Sequence, residues 1–133
     1  MTLIWKGKAI KTINLNAVDL HGSYEEYTYI LEKLGYKSFG YNVQGQGRFW
    51  GYFAPNSLRG VLVYVGRNGD EIDFSTFEDG DMRSADIQKL VSSANVIAAT
   101  FNGRVYDPQT EKYKQPKIKK SEKIKIMEWR LLK

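Results

Sequence analysis

The 133-residue sequence contains no cysteine, one histidine and three prolines. Without cysteine there is no disulfide scaffold, thiol nucleophile or thiolate metal site. A single histidine, His21, excludes multi-histidine metal centres and most catalytic triads. Long apolar runs are lacking as well. The longest, Val61 to Val65, falls far short of the roughly 18 residues that suggest a membrane span. The opening residues, Met1-Thr2-Leu3-Ile4-Trp5-Lys6, meet charge at once and do not read as a secretory leader. The expectation is a cytoplasmic protein with no membrane partner, and no cofactor is implied.

What is present fits one domain spanning residues 1–133. Apolar residues make up 42% of the chain and aromatics 14%, enough for a single hydrophobic core. Net charge is +5, unevenly spread. Residues 1–66 carry seven basic and four acidic side chains, residues 67–95 three and seven, and residues 96–133 ten and four. A strongly basic last third raises the odds of a polyanionic partner, because phosphate binding draws on clustered lysine and arginine. A solvated surface that keeps a small domain soluble is the plainer explanation.

Local patterns suggest an α+β fold. Residues 2–15 read as an opening strand or strand pair with a bulge or turn near Lys11. Ser23 followed by Glu26 forms a capping-box pattern, and Tyr24, Tyr27, Ile30, Leu31 and Leu34 share a helical face closed by Gly35. From Tyr36 to Glu78 the pattern is a β-meander, with strands over 36–43, 48–54, 61–65 and 72–75. Asn68-Gly69 supplies a hairpin signal. A second helix is expected from Ser84, with Ile87, Leu90, Val91 and Ala94 as its stripe. Val96 to Phe101 could extend that helix, but Asn102-Gly103 followed by Arg104-Val105-Tyr106 favours a hairpin, and Lys123 to Leu132 reads as a closing strand that could pair with the opening one. Together these predict a strongly curved, mainly antiparallel sheet or partly open barrel with two packed helices.

Three groups of residues carry possible chemistry. Between Tyr36 and Phe53, aromatics alternate with Lys37 and Arg48 around a glycine loop. Two adjacent strands would show Tyr41, Trp50 and Tyr52 outward, where rings stack on bases, with Arg48 and Arg59 meeting phosphates. Against this, rings are the natural filling of a small core. The second group is basic: Lys112, Lys114, Lys117, Lys119, Lys120, Lys123 and Lys125 crowd a stretch whose only acids are Glu111 and Glu122. Lysines on an edge strand also guard against aggregation, which suits Lys123 and Lys125. The third is the acidic segment Asp70, Glu71, Asp73, Glu78, Asp79, Asp81 and Asp86, which lacks the ligand spacing of a calcium loop. His21 is read as part of a connecting turn.

The favoured expectation is a non-enzymatic nucleic-acid-binding module. Its contact residues would be Lys37, Tyr41, Arg48, Trp50, Tyr52, Arg59, Arg104, Lys112, Lys114, Lys117, Lys119 and Lys120. The alternative is a protein-binding or inhibitory accessory factor, of the kind found in viruses or mobile elements, that acts through its aromatic strand face. A homodimer fits the opposed acidic and basic segments. A metal-dependent phosphodiesterase using Asp73, Glu78, Asp79 or Asp81 ranks third.

Overall fold

A computed structural model describes residues 3–5, 8–10, 13–41, 47–53, 60–66, 71–76 and 84–131. In chain order the elements are β1 (Leu3–Trp5), β2 (Lys8–Ile10), β3 (Asn14–Val18), α1 (Tyr24–Lys33), β4 (Lys37–Tyr41) and β5 (Gly47–Phe53). They continue with β6 (Gly60–Gly66), β7 (Ile72–Thr76), α2 (Ser84–Thr100), β8 (Arg104–Asp107), β9 (Lys112–Lys114) and α3 (Lys120–Leu131). β1 and β2 form a small antiparallel pair. The other strands make one seven-stranded sheet in the order β4-β5-β6-β7-β3-β8-β9, every neighbour antiparallel. The sheet is open and not closed into a barrel, and the fold is α+β as the sequence patterns imply.

Strand periodicity puts alternate residues on opposite faces, and the central strands pack one face to exclusion of water. Val61, Val63 and Val65 of β6, Ile72 and Phe74 of β7 and Ala17 of β3 are fully buried. α1 and α2 cover this face. α1 begins with the capping box: the Glu26 amide donates to Ser23 Oγ at 3.2 Å, and the Ser23 amide donates to Glu26 Oε1 at 3.0 Å. It ends where Gly35, at φ 95°, takes a left-handed turn and the Tyr36 amide reaches back to the Leu31 carbonyl. Tyr27, Ile30 and Leu31 form the buried face, with the Tyr27 ring edge-on to Phe101 at 4.8 Å.

Two expected elements are corrected. Residues 96–100 continue α2 and do not start a hairpin. Val96, Ile97 and Ala98 are all buried, because α2 is packed both by the sheet and by α3, and such a helix loses its amphipathic stripe. Asn102-Gly103 is a turn signal used differently: Asn102 is left-handed at φ 57° and the Gly103 amide donates to the Ala98 carbonyl at 2.8 Å, closing the helix. Gly103 is also required by contact, since a Cβ there would lie 2.3 Å from the Val18 carbonyl oxygen.

The closing segment is helix α3, not a strand, so it does not pair with the opening one. Its short Lys-Ile-Lys-Ile alternation imitates a strand. Packing decides otherwise: Ile126 is buried and Trp129, three residues on, lies against the core. After β8 the chain turns and returns as β9, an edge strand that the sequence patterns do not announce. The turns expected near Lys11 and at Asn68-Gly69, and the loop 44–46, lie outside the described residues.

Candidate functional site

β5 decides the fate of the aromatic segment. Arg48, Trp50 and Tyr52 pair with Val65, Val63 and Val61, so all three belong to the helix-covered face. Trp50 is 4% exposed and part of the core, which removes it as a stacking platform. The alternation was legible, but which phase faces the helices is a tertiary fact. Trp50 Nε1 is buried without a hydrogen-bond partner. Tyr52, farther along the same phase, is 40% exposed. Arg48 is half-buried. Tyr41 pairs with Arg48 on edge strand β4, and Lys37 pairs with Gly51, which places Lys37 on the opposite face from Trp50. Arg59 lies outside the described residues.

Tyr52 opens into a groove of about 1080 Å³ between α2 and the chain entering α3. Lys89, Lys117 and Lys119 line it, with Asp86 and Glu122 as the acidic members. Lys89 Nζ lies 4.5 Å from the Tyr52 ring centroid and 5.4 Å from that of Tyr36, and donates to the Leu34 carbonyl at the end of α1. Burial lowers its pKa below the usual lysine value, and the nearby Lys125 ammonium lowers it further. The Lys117 amide donates to Asn95 Oδ1 at 2.8 Å, pinning the lysine-bearing chain to α2. Glu122 is engaged locally, accepting from Ser92 Oγ and from the Lys119 amide at 3.4 Å each. Beneath the groove, the Tyr36 hydroxyl donates to Ser93 Oγ at 2.8 Å, and burial pushes its pKa far up.

The structure therefore gathers Tyr52, Lys117 and Lys119, adds Lys89, and leaves the other basic residues elsewhere. Lys120 is exposed at the start of α3. Lys112 and Lys114 sit on edge strand β9, roughly 24 Å across the strands from β5 at the usual spacing. Lys114 faces the buried Asp107 at 3.9 Å. Arg104 lies on the far face, 4.3 Å from the Tyr113 ring centroid, with Nε donating to Asp19 Oδ2 at 2.8 Å. Among the described residues these cations do not share a single surface. Lys89 was missed because a lone lysine inside an acidic stretch carries no periodic signal.

The second sheet face holds the rings that the sequence concealed. Pairing registers align Phe49, Tyr64, Asp73, Asn16, Tyr106 and Tyr113 in one row across six strands. Phe49 and Tyr64 have ring centroids 5.2 Å apart, and Tyr106 and Tyr113 4.7 Å apart. At the centre, loss of hydration and then the charge and hydrogen bond of Glu71 push the Asp73 pKa up to about 6. Asn16 Nδ2 donates to Glu71 Oε1 at 3.1 Å.

No family model, curated protein or solved structure matches this chain. The functional reading rests on the geometry alone. Among the described residues no helix is long and apolar enough to cross a membrane. Nor do three or more His, Cys, Asp or Glu side chains among them gather around a possible metal position. His21 lies in the link between β3 and α1, its amide donating to the Phe101 carbonyl.

Proposed function

We propose that the chain is a small, non-enzymatic nucleic-acid-binding module whose contact surface is the groove between α2 and α3. The observation that supports this is the convergence of Lys89, Lys117 and Lys119 on the exposed ring of Tyr52 in β5. Lys120, Lys123 and Lys125 continue the positive charge along α3. The pressure of Lys125 on the Lys89 proton means that like charges meet there, and a phosphate would relieve that repulsion. Ammonium groups act as point charges and read no sequence, so binding is expected to be sequence-tolerant. Tyr52 is the aromatic ring among the described residues lining the groove, so a single base stacks at its edge, a contact worth about 1–3 kcal/mol.

The test is a titration of mixed-sequence single strands and duplexes, followed by fluorescence anisotropy between 50 and 200 mM salt. For a single strand each neutralised phosphate contributes about −0.7 to the log–log salt slope, so these six lysines give about −4 if all engage. The variant Lys117→Gln/Lys119→Gln/Lys120→Gln should flatten that slope by about 2. Tyr52→Ala should weaken the single strand about tenfold and the duplex little. Absence of binding at 50 mM salt, or an unchanged slope in the triple variant, refutes the reading.

A further inference from the structure

The row on the second sheet face reads almost the same from either end: ring, ring, polar, polar, ring, ring. Its outer members are the Phe49–Tyr64 and Tyr106–Tyr113 pairs, and Asp73 and Asn16 occupy the middle on adjacent strands β7 and β3. The helices lie on the other face. Charges on this side are mixed, with Lys37 and Arg104 against Asp19, Glu71 and Asp73, so a polyanion gains little from it. Tyr113 is 56% exposed, and the other rings of the row are half-buried. A half-apolar, tyrosine-rich and nearly neutral sheet face suits a protein surface.

We infer that this face self-associates with a second copy of the chain, about a two-fold axis parallel to the strands that passes between β7 and β3. Such an axis maps the row onto itself. Asp73 then faces Asn16 of the second copy, Tyr64 faces its Tyr106, and Phe49 faces its Tyr113. The row one step along the strands is consistent with the same axis. Arg104 pairs with Val18, and alternation puts Glu71 beside Val18 on the same face. The rotation brings Glu71 of the second copy next to Arg104, so opposite charges approach across the interface. Each isologous contact occurs twice, which is what makes a pseudo-symmetric row self-complementary.

The size of the face sets the strength. Seven strands at about 4.8 Å spacing, with about three rows of side chains, cover on the order of 600 Å² per copy. That is about 1,200 Å² in all, the lower limit for a specific association, and a dissociation constant in the micromolar range is expected. The inference is independent of the groove, which lies on the helix side.

Sedimentation equilibrium of the full chain from about 1 to 500 µM tests the association. A monomer–dimer equilibrium is expected, abolished by Tyr106→Asp in a variant whose circular dichroism remains native. The absence of cysteine makes the axis directly testable. Tyr64→Cys and Tyr106→Cys, mixed and oxidised, should give the mixed 64–106 crosslink in preference to 64–64 or 106–106, whose positions lie about three strand spacings apart. Three results overturn the proposal: a strict monomer at 500 µM, dimers indifferent to Tyr106→Asp, or predominantly like-with-like crosslinks. Loss of oligonucleotide binding in Tyr106→Asp would instead assign this face to nucleic acid.

Discussion

Asp73 should make the stability of the fold depend on pH with a sign opposite to that of most carboxylates. It lies in mid-strand between Tyr64 and Asn16, two residues from Glu71 on the same face. Its pKa in the folded chain is about 6, against an ordinary value of 3.8. Between these values the folded chain holds a proton that the unfolded chain has released. Stability from this group is therefore greatest below about pH 4, declines as pH rises through 6, and is level above. For a fully desolvated carboxyl that gap converts to about 3 kcal/mol. The Asp73 side chain reaches solvent, and screening reduces the expectation to about 1 kcal/mol. Urea denaturation of wild type and Asp73→Asn at one-unit steps from pH 4 to pH 8 isolates the effect, because other titrating groups cancel in the difference. The amide donates to Glu71 at every pH, so the variant should gain about 1 kcal/mol relative to wild type by pH 8, with the difference opening between pH 4 and 7. A difference that stays constant with pH refutes the reasoning. Glu71→Gln should shrink the same pH dependence, since it removes the neighbouring negative charge.

The remaining predictions concern packing and capping. Gly103→Ala places a methyl against the Val18 carbonyl oxygen and the Leu20 side chain, and should lose about 2–3 kcal/mol in chemical denaturation because a backbone atom cannot step aside. Ser23→Ala removes the hydroxyl that caps α1 and should lose about 1 kcal/mol, with Ser23→Asp close to wild type. Tyr36→Phe deletes a buried hydrogen bond to Ser93 and should lose about 1 kcal/mol, read as a lower urea midpoint at unchanged slope.

Much of the architecture was written in short-range patterns. The capping box at Ser23 and Glu26 marks the start of α1 because the residues that satisfy its first amides lie within one turn. β6 follows from an unbroken apolar run and β7 from alternation, in which Ile72 and Phe74 bury while Asp73 faces away, as period two requires. The misreadings share one cause. Val96 to Ala99 is apolar without a period and Lys123 to Ile126 alternates like a strand, and neighbours absent from the local sequence settle both as helix.

The candidate site divides along the same line. Composition and local order alone determined that the last third is basic and that rings alternate along β5. Only the tertiary structure decided that Trp50 is interior and Tyr52 half-exposed, that Lys89 joins Lys117 and Lys119, and that Phe49, Tyr64, Tyr106 and Tyr113 fall in one row. Period two fixes which residues of a strand share a face. It does not say which face receives the helices, nor which strands, distant in the chain, become neighbours in the sheet.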